Sequence, residues 1–366
     1  MSDSDDDLHW MTAKELALHF SRRDLSPVEV AEWHLGRIEA LDSKVNAFCL
    51  LDRDATIAQA EASEERFREG EPLGPLDGVP IAVKDLLLTK GWPTLRGSLL
   101  VDRHQPWEHD APSVARLREK GAVFIGKTTT PEFGHKATND SPLTGITRNP
   151  WNPDLTPGGS SGGAGAALSA GFAPLAYGTD AGGSIRIPAS FCGVVGLKPT
   201  FGRVPAWPPS PFGSLAHAGP MARSVEDAAM FFLAMSKDDP RDGSYAPVDT
   251  SNILRTLRDG IKGLKIAYSP RLGFATALRP EVEAVTTHAA DVLSNLGAHV
   301  ERVDPPIGDP TGLFRKIYTA CTDLLASTLP QDRLGSLDES LRGVIAIGSQ
   351  LTRREFQAAQ VERMAY

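Results

Sequence analysis

The chain of 366 residues predicts an α/β protein, with one mixed sheet between layers of helices. Three observations carry that expectation. Short apolar runs at 78–88 and 122–126 flank a helical stretch at 113–120, the strand–helix–strand order that favours parallel pairing with helices on the sheet faces. A helix over 164–170 leads into an apolar strand over 173–177. The same alternation returns at 264–268, 280–296 and 298–303.

Taken in order, residues 1–10 open on an acidic run and read as a flexible arm. Ser26-Pro27-Val28-Glu29 joins an N-cap serine, a proline at the first helical position and a glutamate at N3, which is a capping box. Val30, Trp33, Ile38 and Leu41 then give a helix an apolar stripe to about Asp42. Residues 54–69, rich in Ala and Glu, form a second and more solvated helix. At Gly78-Val79-Pro80-Ile81-Ala82-Val83-Lys84-Asp85 the period changes to that of a strand, with a lysine inside it. The segment alone leaves two readings of Lys84. The ordinary one is an edge-strand lysine reaching solvent. In the other the strand is central, and burial lowers the pKa until the amine serves as a base.

Residues 127–149 read as a polar loop. Trp207, Pro208, Pro209, Pro211 and Phe212 make 201–220 too proline-rich for regular structure, so the stretch reads as a surface loop rimming a pocket. Ser224 opens a helix to about Met235, residues 236–262 are the best linker, and three helical stretches run on to Tyr366. Residues 132–137, Trp92 and Phe191 are further pocket-wall candidates.

Bulk properties exclude several classes. With 41% hydrophobic residues the chain can bury a substantial core, and its net charge of −8 comes without a basic stripe, against nucleic acid as a partner. No apolar run approaches a membrane span of ~18 residues. The acidic start does not resemble a secretory signal. Cys49, Cys192 and Cys321 show neither metal-ligand spacing nor an even disulfide set, which fits a reducing cytoplasm.

Chemistry concentrates in residues 157–200. One glycine–serine cluster surrounds Ser160 and a second ends at Ser184, 24 residues later. No Lys-Ser/Thr follows for a phosphate loop, and Leu168 stands where a dinucleotide loop needs its third glycine. Gly158-Gly-Ser160-Ser-Gly162 and Gly159-Ser-Ser161-Gly-Gly163 both match the letters of a nucleophile elbow, as chance allows in so glycine-rich a segment. An elbow also needs a histidine downstream, and none of His217, His288 and His299 lies in a suggestive setting.

Gly158-Gly-Ser-Ser-Gly-Gly163, Gly178-Thr-Asp-Ala-Gly-Gly-Ser184-Ile-Arg-Ile-Pro188 and Gly196-Leu-Lys-Pro-Thr200 together resemble the signature of the amidase signature family. Agreement extends through Asp77–Asp85, Gly126-Lys-Thr, Pro131-Glu-Phe, Asn149-Pro-Trp and Ala218–Asp227, covering about residues 10–305. The resemblance implies an amidase-signature-type fold in a single domain over 1–366, with its catalytic core at 70–235 and a covering part at 264–366. It implies Ser184 as nucleophile, Ser160 as a bridging serine after a cis peptide, and Lys84 as base. The backbone N–H groups of Ala181, Gly182, Gly183 and Ser184 would form the oxyanion hole. Ser161, Thr179, Asp180 and Arg186 would support the turn, Asp180 and Arg186 by pairing.

The activity implied is hydrolysis of a small-molecule carboxylic amide, without cofactor or metal, in a cytoplasmic protein. The resemblance allows a homodimer. Two rivals stand beside it: the A subunit of an aminoacyl-tRNA amidotransferase, and an inactive truncated fragment with a binding role. Ala206–Gly219 looks more like stand-alone amidases. Nothing after Val300 resembles the family's last portion, so the fold is expected to be C-terminally truncated or to close its sheet another way.

Overall fold

A computed structural model describes residues 8–247 and 249–366. They fall into two compact units, one of the described residues up to 251 with 324–343 and one of 252–323 with 344–366.

The first unit holds α1 (Ala13–Arg22), α2 (Pro27–Val45), β1 (Phe48–Leu50), α3 (Arg53–Glu69), β2 (Pro80–Lys84), α4 (Pro112–Glu119) and β3 (Val123–Thr128). A small hairpin, β4 (Asp140–Ser141) and β5 (Gly145–Ile146), precedes α5 (Gly162–Ser169), β6 (Leu175–Asp180), α6 (Arg186–Cys192), β7 (Val195–Gly196), β8 (His217–Ala222) and α7 (Val225–Met235). The six-stranded sheet runs β1-β3-β2-β6-β8-β7. β2 is parallel to β3 and β6, whereas β1, β8 and β7 join antiparallel, so the sheet is mixed as expected.

Local chemistry explains the ends. The Ser26 N–H donates to Glu29 at 2.9 Å and Ser26 Oγ accepts from Val28 at 3.0 Å, closing the N-terminus of α2. The helix outruns its expected end by three residues and stops where Asn46 turns left-handed, at φ 57°. Side chains alternate across β6. Ala176 joins a core with Leu35, Ile38, Ala164 and Leu168 from α2 and α5, while Tyr177 meets Phe231 of α7 edge-on at 6.1 Å. Two helical layers thus cover the sheet.

Several expectations change. Residues 8–10 form a 3₁₀ turn whose His9 is buried and stacked on Trp33 at 4.9 Å; the rest of the expected arm lies outside the described residues. The tract at 201–220 ends in strand β8 despite Pro220. The carbonyl of Pro220 accepts from Leu197 N–H at 3.1 Å, so its missing N–H faces only the two-residue edge strand β7, where the loss costs little. The loop at 127–149 contains β4, β5 and a 3₁₀ turn at Glu132–Gly134.

The second unit contains α8 (Ile253–Thr256), within the expected linker, then β9 (Lys265–Tyr268), α9 (Pro280–Asn295) and β10 (His299–Arg302). β9 and β10 pair in parallel around α9. Parts of α10 (Thr311–Ser327) and α11 (Glu339–Gly348) and all of α12 (Arg353–Arg363) complete it. Among the described residues no helix is long and apolar enough to cross a membrane.

Candidate active site

Lys84 closes β2, between β3 and β6, and its side chain is fully buried. The edge-strand reading therefore fails, because strands flank it on both sides. Its Nζ donates to Ser160 Oγ at 2.7 Å, Ser161 Oγ at 2.9 Å and Thr179 Oγ1 at 2.9 Å. Burial pushes its pKa well below the usual lysine value, and the negative charge of Asp180 only partly opposes this.

The loop before α5 brings the two serines to this amine. The Gly159–Ser160 peptide is cis, and a Cβ at Gly159 would lie 2.3 Å from the Thr138 carbonyl oxygen. Only glycine lets the loop pass there. Ser161 N–H donates to the Ser184 carbonyl at 3.0 Å, and Ser161 Oγ bridges the Thr179 backbone, donating to its carbonyl at 3.1 Å and accepting from its N–H at 3.2 Å. Ser161 thereby ties the first cluster to the second.

Ser184 follows β6 on a tight turn and lines a cavity of about 210 Å³ together with Ser160. Its hydroxyl makes no hydrogen bond to Ser160 among the described residues. Asp180 organises the turn. Its carboxylate accepts from Gly183 N–H at 2.7 Å and Ile185 N–H at 3.2 Å, and pairs with Arg186 at 2.9 and 3.0 Å. Burial alone would raise the Asp180 pKa, but Arg186 and these N–H groups outweigh it and hold the carboxyl below its ordinary value. The Gly183 N–H is therefore committed, unlike the expectation of four free donors. The N–H groups of Ala181, Gly182 and Ser184 carry no such bond among the described residues.

The cavity wall is largely apolar: Leu86, Leu88, Phe133, Trp207, Pro209 and Phe212 contribute. Residue 133 and the 207–212 rim thus sit where pocket-wall residues were expected. Trp92 and Phe191 do not line it: Trp92 is buried and donates to Asp52 at 3.0 Å, while Phe191 is half exposed on α6.

Among the lining residues that sequence reasoning missed are His217 and Arg96. His217 stands opposite Asp180 in the β6–β8 register, its Nδ1 facing the carbonyls of Leu215 at 2.8 Å and Asp180 at 3.1 Å. Burial lowers its pKa, and the charge of Lys198 adds to this, while the Leu215 and Asp180 carbonyls oppose it. Arg96 comes from the turn after β2. His217 is not legible in the sequence because β8 itself is not, and no spacing singles out Arg96.

The family model described as Amidase matches residues 29–354. The chain belongs to the amidase family. In Chloroflexus aurantiacus, the A subunit of glutamyl-tRNA(Gln) amidotransferase is 42% identical over 301 residues, covering 82% of this chain and 61% of that protein. The chain thus spans about three fifths of the length of such curated relatives. A bacterial aryl acylamidase of the amidase signature family superposes with a TM-score of 0.91 at 30% identity, over 98% of this chain and 76% of its own. A 6-aminohexanoate cyclic dimer hydrolase gives 0.83 at 30% identity, over 96% and 74%. The amidase-signature fold expected from the motifs is the fold of this amidase chain.

Proposed function

We propose that this site hydrolyses a carboxylic amide through an acyl-enzyme on Ser184. The observation that carries the reading is the buried Lys84, bonded at 2.7 Å to a serine that shares a cavity with Ser184. Neutral Lys84 takes a proton from Ser160, Ser160 takes one from Ser184, and Ser184 Oγ attacks the amide carbonyl. The negative oxygen receives the N–H groups of Ala181, Gly182 and Ser184, each such donor worth about 3 kcal/mol in comparable sites. As the C–N bond breaks, the relay runs in reverse and Ser160 delivers the proton to the leaving amine. Water then attacks the ester, losing its proton to the same relay, and frees acid and Ser184. The gap between the two hydroxyls closes when a carbonyl is bound, as catalytic hydrogen bonds commonly tighten with substrate.

Release of ammonia or amine from a panel of aliphatic and aryl amides tests this, with Ser184→Ala as control. Hydrolysis by the wild-type chain, lost by at least ~10³-fold in Ser184→Ala, is expected. Hydrolysis that survives Ser184→Ala overturns the mechanism.

A second reading follows from the 42% identity to an A subunit of an amidotransferase. On that reading the same relay would release ammonia for a partner subunit. The apolar, proline-rich wall at 205–212 supports the first reading, since it suits a substrate with apolar bulk. Activity only with partner subunits and charged tRNA would reverse the order.

A further inference from the structure

The cavity beside Ser184 contains one side chain that its apolar walls do not explain. Among the described residues, Arg96 is the only one lining it with a fixed positive charge. Among the same residues its guanidinium has neither a hydrogen bond nor an ion pair. Asp85, whose charge acts on Arg96, and Asp180, which lines the same cavity, are already engaged. Asp85 accepts from Leu95 and Gly97 N–H groups at 3.2 and 3.4 Å and stands 3.8 Å from Lys127, while Asp180 is held by Arg186. Asp85 lends Arg96 only a longer-range attraction.

The backbone beneath this arginine is firmly held. Its carbonyl accepts from Phe133 N–H at 2.8 Å, and Asp85 grips the residues on either side. Arg96 sits at φ 59°, and the next residue packs so closely that a Cβ on Gly97 would lie 2.5 Å from the Thr130 carbonyl oxygen. A shielded charge without a partner is unfavourable. A guanidinium with a placed backbone and unused donors matches a carboxylate in a two-point fork.

We propose that Arg96 forms an anion subsite, so that the amide hydrolysed at this site carries a carboxylate. This rests on the amide-hydrolase reading above and narrows its substrate class. The carboxylate can belong to the acyl part or to the amine part, and two matched pairs separate these. Hexanamide against adipic acid monoamide places the charge on the acyl side; hexanoyl anilide against its 4-carboxy analogue places it on the amine side.

In wild type the charged member of one pair has the higher kcat/KM. In Arg96→Met the charged-to-neutral ratio for that pair falls about tenfold or more, the usual loss for a charged hydrogen-bond partner, and Arg96→Lys recovers part of it. A ratio that is the same in wild type and Arg96→Met for both pairs overturns the proposal. Calorimetric titration with adipate and benzoate needs no turnover. Binding by wild type that Arg96→Met loses and Arg96→Lys partly restores supports the subsite even if no amide is cleaved. Absent binding in wild type, or equal binding in both, removes it.

Discussion

Lys84 Nζ lies 2.7 Å from Ser160 Oγ, at the end of a strand with neighbours on both sides. A lysine so placed loses its water shell and gains only hydroxyl partners, so the neutral amine is favoured. The sheet itself makes the base.

The pH dependence has a definite sign. Only neutral Lys84 accepts the proton, so kcat/KM rises with pH through the lowered pKa and then levels off. Lys84→Met removes this limb and lowers kcat/KM by about 10³-fold or more, a large but ordinary loss for a general base. Steady-state rates across pH check both; an acid limb that persists in Lys84→Met assigns it to another group.

Asp180 raises the Lys84 pKa by its charge while it holds the turn. Asp180→Asn is expected to move the acid limb to lower pH, because the ammonium form loses that attraction. Gly183 and Arg186 lose a charged acceptor at the same time, costing about 1–3 kcal/mol of stability. Rate profiles and urea unfolding measure the two effects separately. A limb displaced upward contradicts the assignment.

Gly134 presses on the relay from the opposite wall. It sits at φ 72°, and a Cβ there would lie 2.8 Å from Leu86 Cδ1 and 3.1 Å from Ser160 Oγ. Gly134→Ala should therefore cost about 1 kcal/mol in backbone conformation. It should cost far more in turnover, because Ser160 must move from Lys84. Equal activity at reduced stability would show that Ser160 tolerates the displacement.

His34, on α2, is buried, and burial, reinforced by the charge of Arg223, lowers its pKa to about 3. The unfolded chain binds a proton at this residue near pH 6.5, so the stability that depends on neutral His34 is lost as pH falls below 6.5. Between pH 7 and pH 5 the loss is about 2 kcal/mol. Denaturant titrations should show His34→Leu to be less acid-sensitive by about that amount. The same slope in both proteins would rule His34 out.

Most elements are legible in the chain because they depend on neighbours in sequence. The Ser26–Glu29 box, the stripe of α2 and the apolar runs of β2 and β3 need no distant partner. β8 is not legible, since Pro220 normally argues against a strand and is tolerated only because β7 is a two-residue edge.

By itself the sequence determined the family and the serines that its motifs place in the loops, because glycine and serine at those spacings state a backbone requirement locally. Tertiary structure decided the state of Lys84, whose five-residue strand by itself reads more readily as an edge than as a centre until β3 and β6 pair beside it. It also decided that Asp180 takes the Gly183 N–H, that His217 faces Asp180 across two strands, and that Arg96 lines the cavity with no hydrogen bond or ion pair among the described residues. Charge and proton affinity depend on what surrounds a group in space, and apart from the local Asp180–Gly183 contact those neighbours lie tens of residues away along the chain.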